Sequence, residues 1–153
     1  MRKNGPNEIS RIESKSEVIA YLDRLKYALK NGSAQINFQK DRRVDANRNK
    51  KHTNRHTLLT LFPNEDEVEV LKRELAFLTE QYYVETVQDR RFSNRSEMRV
   101  FGKQYRDEDV YIKIRVELFS SSAYGGNYIF VMSFHFAEEA FEESDFPYWK
   151  RGE

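Results

Sequence analysis

The chain contains no cysteine among its 153 residues. That absence excludes disulfide frameworks, thiolate zinc sites and cysteine nucleophiles together, and it suits a reducing cytoplasm. No stretch approaches the ~18 consecutive apolar residues that cross a bilayer, and Met1-Arg2-Lys3-Asn4 leads into no apolar signal stretch. Internal repeats, low-complexity tracts, a glycine-rich phosphate loop, a nucleophile elbow and a paired-carboxylate pattern are all missing. A cytoplasmic protein without membrane contact is expected. An excess of one charge is lacking as well: 26 basic residues stand against 25 acidic ones, for a net charge of +1. Taken as a sum, that argues against a nucleic-acid partner.

What the chain has in quantity is aromatic and charged side chains. Eleven Phe and nine Tyr accompany a 39% hydrophobic and 33% charged composition, which is a folding composition and not a disordered one. A chain of this length buries roughly 70% of its unfolded surface in one core, so a single domain is expected. The charges fall in blocks. Between Lys40 and Arg55 lie seven basic residues (Lys40, Arg42, Arg43, Arg48, Lys50, Lys51, Arg55) and two acidic ones (Asp41, Asp45), a local +5, with His52 and His56 in the same stretch. From Asp89 to Arg115 the balance of eight basic and five acidic residues is +3, while acid gathers at Glu65 to Glu69 and Glu138 to Asp145. A neutral total is therefore compatible with a basic working face.

Periodicity divides the chain in two. Residues 1–14 show no period and are expected to form a flexible leader. Val18, Ile19, Leu22, Leu25, Ala28 and Leu29 recur at helical spacing, with Ser16 as the expected N-cap and Gly32 as the stop. Ala34 to Phe38 fits a short strand, and residues 39–56 are too polar to bury and read as a mobile basic loop. After Thr57 to Phe62, Pro63 breaks the chain, and Asn64 with Glu67 resembles a capping pair for a second helix striped by Val68, Leu71, Leu75 and Leu78. Thereafter the period becomes two. Gln81 to Val87 fits helix end or strand equally, and Arg95 to Phe101 reads as a strand ended by Gly102. In Val110 to Leu118 the aliphatic residues face one way and Tyr111, Lys113, Arg115 and Glu117 the other. Ser120 to Asn127 is a hairpin turn, and Tyr128 to Phe136 an apolar central strand paired antiparallel to the previous one. The expected fold class is α+β: two N-terminal helices on one face of a small antiparallel sheet, forming a single domain over 15–149 with a tail at 150–153.

Alternation sets Tyr111, Lys113 and Arg115 ~7 Å apart in succession on one face, an anion site in outline. If Arg95, Glu97 and Arg99 share that face, the sheet presents a basic concave surface. His135, with a reference pKa near ~6.5, suits general acid or base work on a phosphodiester, and the cations suit stabilisation of charge developing on the phosphate. His52 and His56 have helical metal-ligand spacing but no acidic or thiol partner nearby, so neither a metal nor a cofactor is expected.

The runs Leu78-Thr79-Glu80-Gln81-Tyr82-Tyr83, Phe101-Gly102-Lys103, Asp109-Val110-Tyr111-Ile112-Lys113-Ile114, Val131-Met132-Ser133-Phe134-His135 and Phe146-Pro147-Tyr148 resemble the MqsR-type toxins of toxin–antitoxin modules, in the RelE-like superfamily of messenger-RNA endoribonucleases. The resemblance covers about half of the chain. It implies a RelE-like fold, Tyr111 at the family's active-site tyrosine, His135 at a basic or general-acid position and Arg99 near a polar catalytic position. The family's lysine after the aromatic pair is replaced here by Val84 and Glu85.

Together these point to a metal-independent endoribonuclease cleaving single-stranded messenger RNA by 2′-hydroxyl attack and neutralised by a cognate antitoxin. His135, Tyr111, Arg99 and Lys113 form the expected catalytic set, and Arg42, Arg43, Arg48, Lys50, Lys51, Arg55, Lys103 and Arg115 the expected RNA contacts. The alternative is a non-catalytic binding or inhibitor module from a mobile element, docking through the basic loop on RNA or a ribonucleoprotein.

Overall fold

A computed structural model describes residues 8–30, 35–40, 50–90, 97–117 and 128–149. In chain order its strands are β1 (Glu8–Arg11), β2 (Gln35–Phe38), β3 (Tyr83–Asp89), β4 (Met98–Tyr105), β5 (Glu108–Glu117) and β6 (Tyr128–Phe136). Its helices are α1 (Lys15–Lys30), α2 (Asn54–Leu61) and α3 (Glu67–Ala76), with short 3-10 turns at Lys50–His52, Glu80–Tyr82 and Glu143–Asp145. The strands form one six-stranded sheet in the order β1-β3-β4-β5-β6-β2, antiparallel throughout except that β2 lies parallel to β6.

This corrects the expected architecture. The sheet is large and mixed, β1 precedes the first helix, and α2 and α3 lie between β2 and β3. Residues 8–11 are a paired strand where a leader without structure was expected: Glu8 to Arg11 register one to one against Asp89 to Thr86. Four residues are too few to show a period, so β1 is formed by its neighbour and by a bidentate bond from Arg11 to Glu97 (2.9 and 2.7 Å). The helix start also moves. Ser14 Oγ accepts from Glu17 N–H at 3.2 Å while Glu17 Oε1 accepts from Ser14 N–H at 3.0 Å, a reciprocal capping box that displaces Ser16 from that role. In α3 the cap is Asp66, whose carboxylate accepts from Glu69 N–H at 3.1 Å, and Val70 replaces the exposed Val68 in the buried stripe.

All three helices pack on one sheet face. Val18, Leu22 and Leu25 of α1, Leu58 and Leu61 of α2 and Leu71 and Leu75 of α3 cluster with Phe101, Ile112, Ile114, Val131 and Phe134. A smaller apolar layer covers the other face: Val84, Val87, Met98 and Val100, with Tyr111, Phe130, Met132, Phe141 and Phe146 against them. Two of those residues, Phe141 and Phe146, lie within and just after the acidic C-terminal stretch, which packs on the sheet. The second face is therefore half apolar, where a basic concave surface was expected. Strand β5 alternates as its sequence predicts. Strand β6 carries a bulge at Met132, since Ser133 pairs with Lys113 but Val131 with Ile114. The extra residue puts Met132 on the same side as Ser133 and His135, and lets Ile129, Val131, Phe134 and Phe136 all reach the helical core.

Gly102 lies inside β4 and does not end it. A Cβ there would meet the Phe141 ring at 2.5 Å, so glycine is needed for the C-terminal segment to lie flat on the strand.

Strand β6 has nine residues and β2 only four, so beyond Val131 its outer edge lacks a partner strand. The first turn of α2 takes that place. Asn54 Nδ2 donates to the carbonyls of Gln39 (2.7 Å) and Met132 (2.9 Å), and Asn54 Oδ1 accepts from Phe134 N–H (3.0 Å). Thr57 Oγ1 accepts from Phe136 N–H at 2.8 Å, and His52 Nδ1 lies 3.1 Å from the Phe136 carbonyl. Residues 54–57, expected within or beside a mobile loop, thus include two of the most buried polar side chains, Asn54 at 5% and Thr57 at 0% exposure. Replacing Asn54 with leucine strands a buried N–H and a buried carbonyl, each costing ~1–3 kcal/mol. Urea denaturation of Asn54→Leu is expected to show a loss of about 2–5 kcal/mol; a loss under about 1 kcal/mol means that another group satisfies this edge.

Candidate functional site

Pairing of β5 with β6 sets Tyr111 opposite His135 and Lys113 opposite Ser133. The Tyr111 and His135 rings stack with centroids 5.4 Å apart and planes 21° from parallel. His135 is buried, and its Nδ1 lies 2.9 Å from the Phe136 carbonyl, the same oxygen that His52 Nδ1 approaches. A carbonyl only accepts, so both imidazoles carry hydrogen on Nδ1. Two histidines distant in sequence thereby become neighbours.

Around this pair the cations are engaged. Lys113 is buried and its Nζ donates to Glu8 Oε2 at 2.6 Å, reaching past the two intervening strands to β1. Arg115, on the same face, lies 4.9 Å over the Phe130 ring and 3.1 Å from Glu117. Phe141 caps Tyr111 in a near-parallel stack at 6.5 Å and 2°.

Arg99 does not join them. It pairs in register with Ile114 and so points to the helical face, where its Nε and Nη2 donate to Glu13 at 2.8 and 3.2 Å and its guanidinium lies 4.4 Å over Tyr21. Alternation decided this: Val100 shares the face of Tyr111 and Lys113, so its neighbour Arg99 cannot. Burial alone would raise the Glu13 carboxyl, but hydrogen bonds from Arg99 and Thr86, and the charges of Arg99 and Arg11, hold it below the usual glutamate range. Burial also pushes the Tyr21 hydroxyl up, which keeps it neutral beneath the guanidinium. Tyr83 and Tyr148 complete the cluster, accepting from Glu13 N–H and donating to the Glu13 carbonyl respectively.

The expected RNA contacts are dispersed. Arg42, Arg43 and Arg48, and the side chain of Lys50, lie outside the described residues, as does half of the basic loop and, on the way to β4, Arg95. Lys51 pairs with Glu108 at 2.6 Å, and Arg55 is exposed on α2. Lys103 faces the helical side, its ammonium 5.3–5.5 Å from the rings of Phe77, Tyr82 and Tyr105.

Lys103 also borders a groove of about 590 Å³ beside Gly102, walled by Tyr82, Phe141, Phe146 and Trp149. Asp109, Glu142 and Glu143 supply acid to it. The aromatic chain continues through Trp149 to Phe146 (5.9 Å), Phe146 to Phe141 (5.2 Å) and Phe141 to Tyr111. Sequence reasoning missed this groove and the meeting of His52 with His135 at the Phe136 carbonyl. The available signal was three large aromatic residues, Phe141 within the acidic stretch from Glu138 to Asp145 and Phe146 and Trp149 just after it. Among the described residues no three His, Cys, Asp or Glu side chains gather into a metal-binding group, and no helix is long and apolar enough to cross a membrane. No protein-family model, curated protein or solved structure matches the chain.

Because the Glu13 carboxylate is held below its ordinary range in the fold, its stabilising contribution is present above about pH 4.3 and is lost as the pH falls further. In Arg99→Leu the same carboxylate is buried without its partner, so roughly 3–5 kcal/mol is lost at neutral pH. Melting curves of parent and variant from pH 7 to pH 3 should converge toward the acid end. Parallel curves would refute the pairing as the origin of the effect.

Proposed function

We propose that the chain is an endoribonuclease of the MqsR toxin type, acting on single-stranded messenger RNA through the face that carries Tyr111, His135 and Lys113. One observation supports this above others: the β5–β6 register stacks His135 on Tyr111 and sets Lys113 beside them, bringing together three of the four residues expected to act. In the proposed reaction the ribose 2′-hydroxyl attacks the adjacent phosphorus, the bond to the 5′-oxygen breaks, and a 2′,3′-cyclic phosphate forms. In its neutral form the His135 imidazole accepts the 2′-hydroxyl proton; in its protonated form the same ring donates to the departing 5′-oxygen. Tyr111 orients the phosphate, and Lys113 offsets the charge that develops on it. Arg99 has no part in this scheme, since it lies on the opposite face. Basic residues of the 39–56 segment supply backbone contacts, a cognate antitoxin silences the activity, and the cytoplasm is the working compartment.

His135 is 5% exposed and Phe141 covers Tyr111, so cleavage requires the C-terminal segment to lift from the sheet. That burial, with Lys113 already paired to Glu8, favours a second reading in which the chain binds RNA or a ribonucleoprotein without cutting it.

Purified protein incubated with end-labelled RNA separates the two. The nuclease reading predicts cyclic-phosphate products, a drop of about 10²–10⁴ in rate for His135→Ala, and a rise in rate for Phe141→Ala. Undiminished cleavage by His135→Ala refutes the site. RNA binding that weakens with salt, with no cleavage by parent or Phe141→Ala, establishes the binding module instead.

A further inference from the structure

Arg115 has no part in that reaction, yet it stands on the same strand face as Tyr111 and Lys113, about 13 Å from Tyr111 at ~3.3 Å per residue. Three strands meet around it. Arg115 registers with Phe130 of β6, and Phe130 with Asn37 of β2. Ile114, Ile129 and Ile36, each one step away, turn to the helical core, so Arg115, Phe130 and Asn37 form a row across the other face. The guanidinium lies 4.9 Å over the Phe130 ring, and the side chain is 12% exposed. Its Nε is buried and makes no hydrogen bond, since Glu117 Oε1, 3.1 Å away, is out of line for one. Among the described residues, Nη1 and Nη2 are not bonded either. A nearly enclosed cation is costly unless hydrogen bonds offset the lost water, and a planar fork of N–H groups fits two oxygens of one phosphate. One strand further runs a chain of neutral polar groups: Gln39 Nε2 donates to Asn37 Oδ1 at 2.8 Å, and Asn37 Nδ2 donates to the Tyr128 hydroxyl. Within that chain the Tyr128 proton and Gln39 Oε1 stay unused, a donor and an acceptor for an outside group.

We propose that Arg115 anchors a phosphodiester of single-stranded RNA beside the one that is cut, Nη1 and Nη2 forking onto two phosphate oxygens while Tyr128 and Gln39 meet the adjoining nucleotide. The proposal rests on the reading above for its ligand, RNA, and not on the cutting. Continuity along one strand face selects RNA over an acidic peptide: a chain lying along β5 from Tyr111 past Lys113 brings successive phosphates over successive cations. Phe130 and Glu117 hold the guanidinium from behind and from the Nε side, so the outer edge of the fork is the part left to a ligand.

The full chain is titrated into a fluorescein-labelled 2′-O-methyl RNA oligonucleotide, which has no free 2′-hydroxyl and is not cut, and anisotropy is read at several salt concentrations. Arg115→Gln should bind about tenfold more weakly, with a salt slope smaller by roughly 0.7, the share of one phosphate on a single strand. Lys30→Gln, at the exposed end of α1, should bind as the parent does. If Arg115→Gln melts early, Arg115→Lys decides: it keeps the charge and loses the fork, so it should keep the parent's salt slope and bind several-fold more weakly. A chain that cuts no RNA yet binds this oligonucleotide through Arg115 refutes the nuclease alone and upholds the anchor. No binding by the parent, parent-like binding by a stably folded Arg115→Gln or Arg115→Lys, or displacement of the oligonucleotide by an equal concentration of a Glu-Gly repeat peptide would each overturn the anchor, whether or not RNA is cut.

Discussion

Strand β6 is longer than the strand beside it, and the polar backbone left over must be satisfied inside the molecule. Buried N–H and C=O groups tolerate no vacancy cheaply, so whatever follows β2 has to supply donors and acceptors at strand spacing. Asn54 and Thr57, one helical turn apart on α2, do so from side chains, and His52 adds a third contact. Much else follows. α2 is fixed along the outer edge of β6, His52 of the basic segment is brought to His135 of β6, and the helical core is closed beneath Phe134 and Phe136.

Charge is organised by the same economy of burial. A composition with one third charged residues looks like a solvated surface, yet several of these charges are internal. Glu13 and Arg99 join the β1–α1 connection to β4, and Tyr148 ties the C-terminal segment to the same point. Lys113 and Glu8 join the centre of the sheet to its edge. A buried pair of this kind is weak evidence of net stability but fixes which strand lies where, because either partner alone is costly. Such pairing also limits what the cations offer to an external anion.

Legibility varied with the length of the pattern. The sixteen residues of α1 show their buried face in the spacing of Val18, Leu22, Leu25 and Ala28, and the ten of β5 show theirs by alternation. The antiparallel pairing of β5 with β6, and hence the meeting of Tyr111 with His135, follows from those two strands alone. Short or irregular elements were not legible. Strand β1 is too brief to carry a period, the bulge at Met132 disguises which residues of β6 share a face, and Gly102 reads as a stop when it is a clearance for Phe141. Arg99 was misplaced by a single step of alternation, which is enough to move a side chain to the opposite layer.

By itself the sequence determined the local periods, the helical face of α1, the alternating face of β5 and the absence of thiols from any chemistry here. These are properties of neighbouring residues, set by the 3.6 and 2.0 residue repeats of the backbone. Only the tertiary structure decided which charges meet, that the acidic C-terminal stretch covers a sheet face, and that a helix completes the edge of β6. Each of those is a contact between residues far apart in the chain, chosen by which buried polar and apolar groups find partners and not by any pattern along the chain.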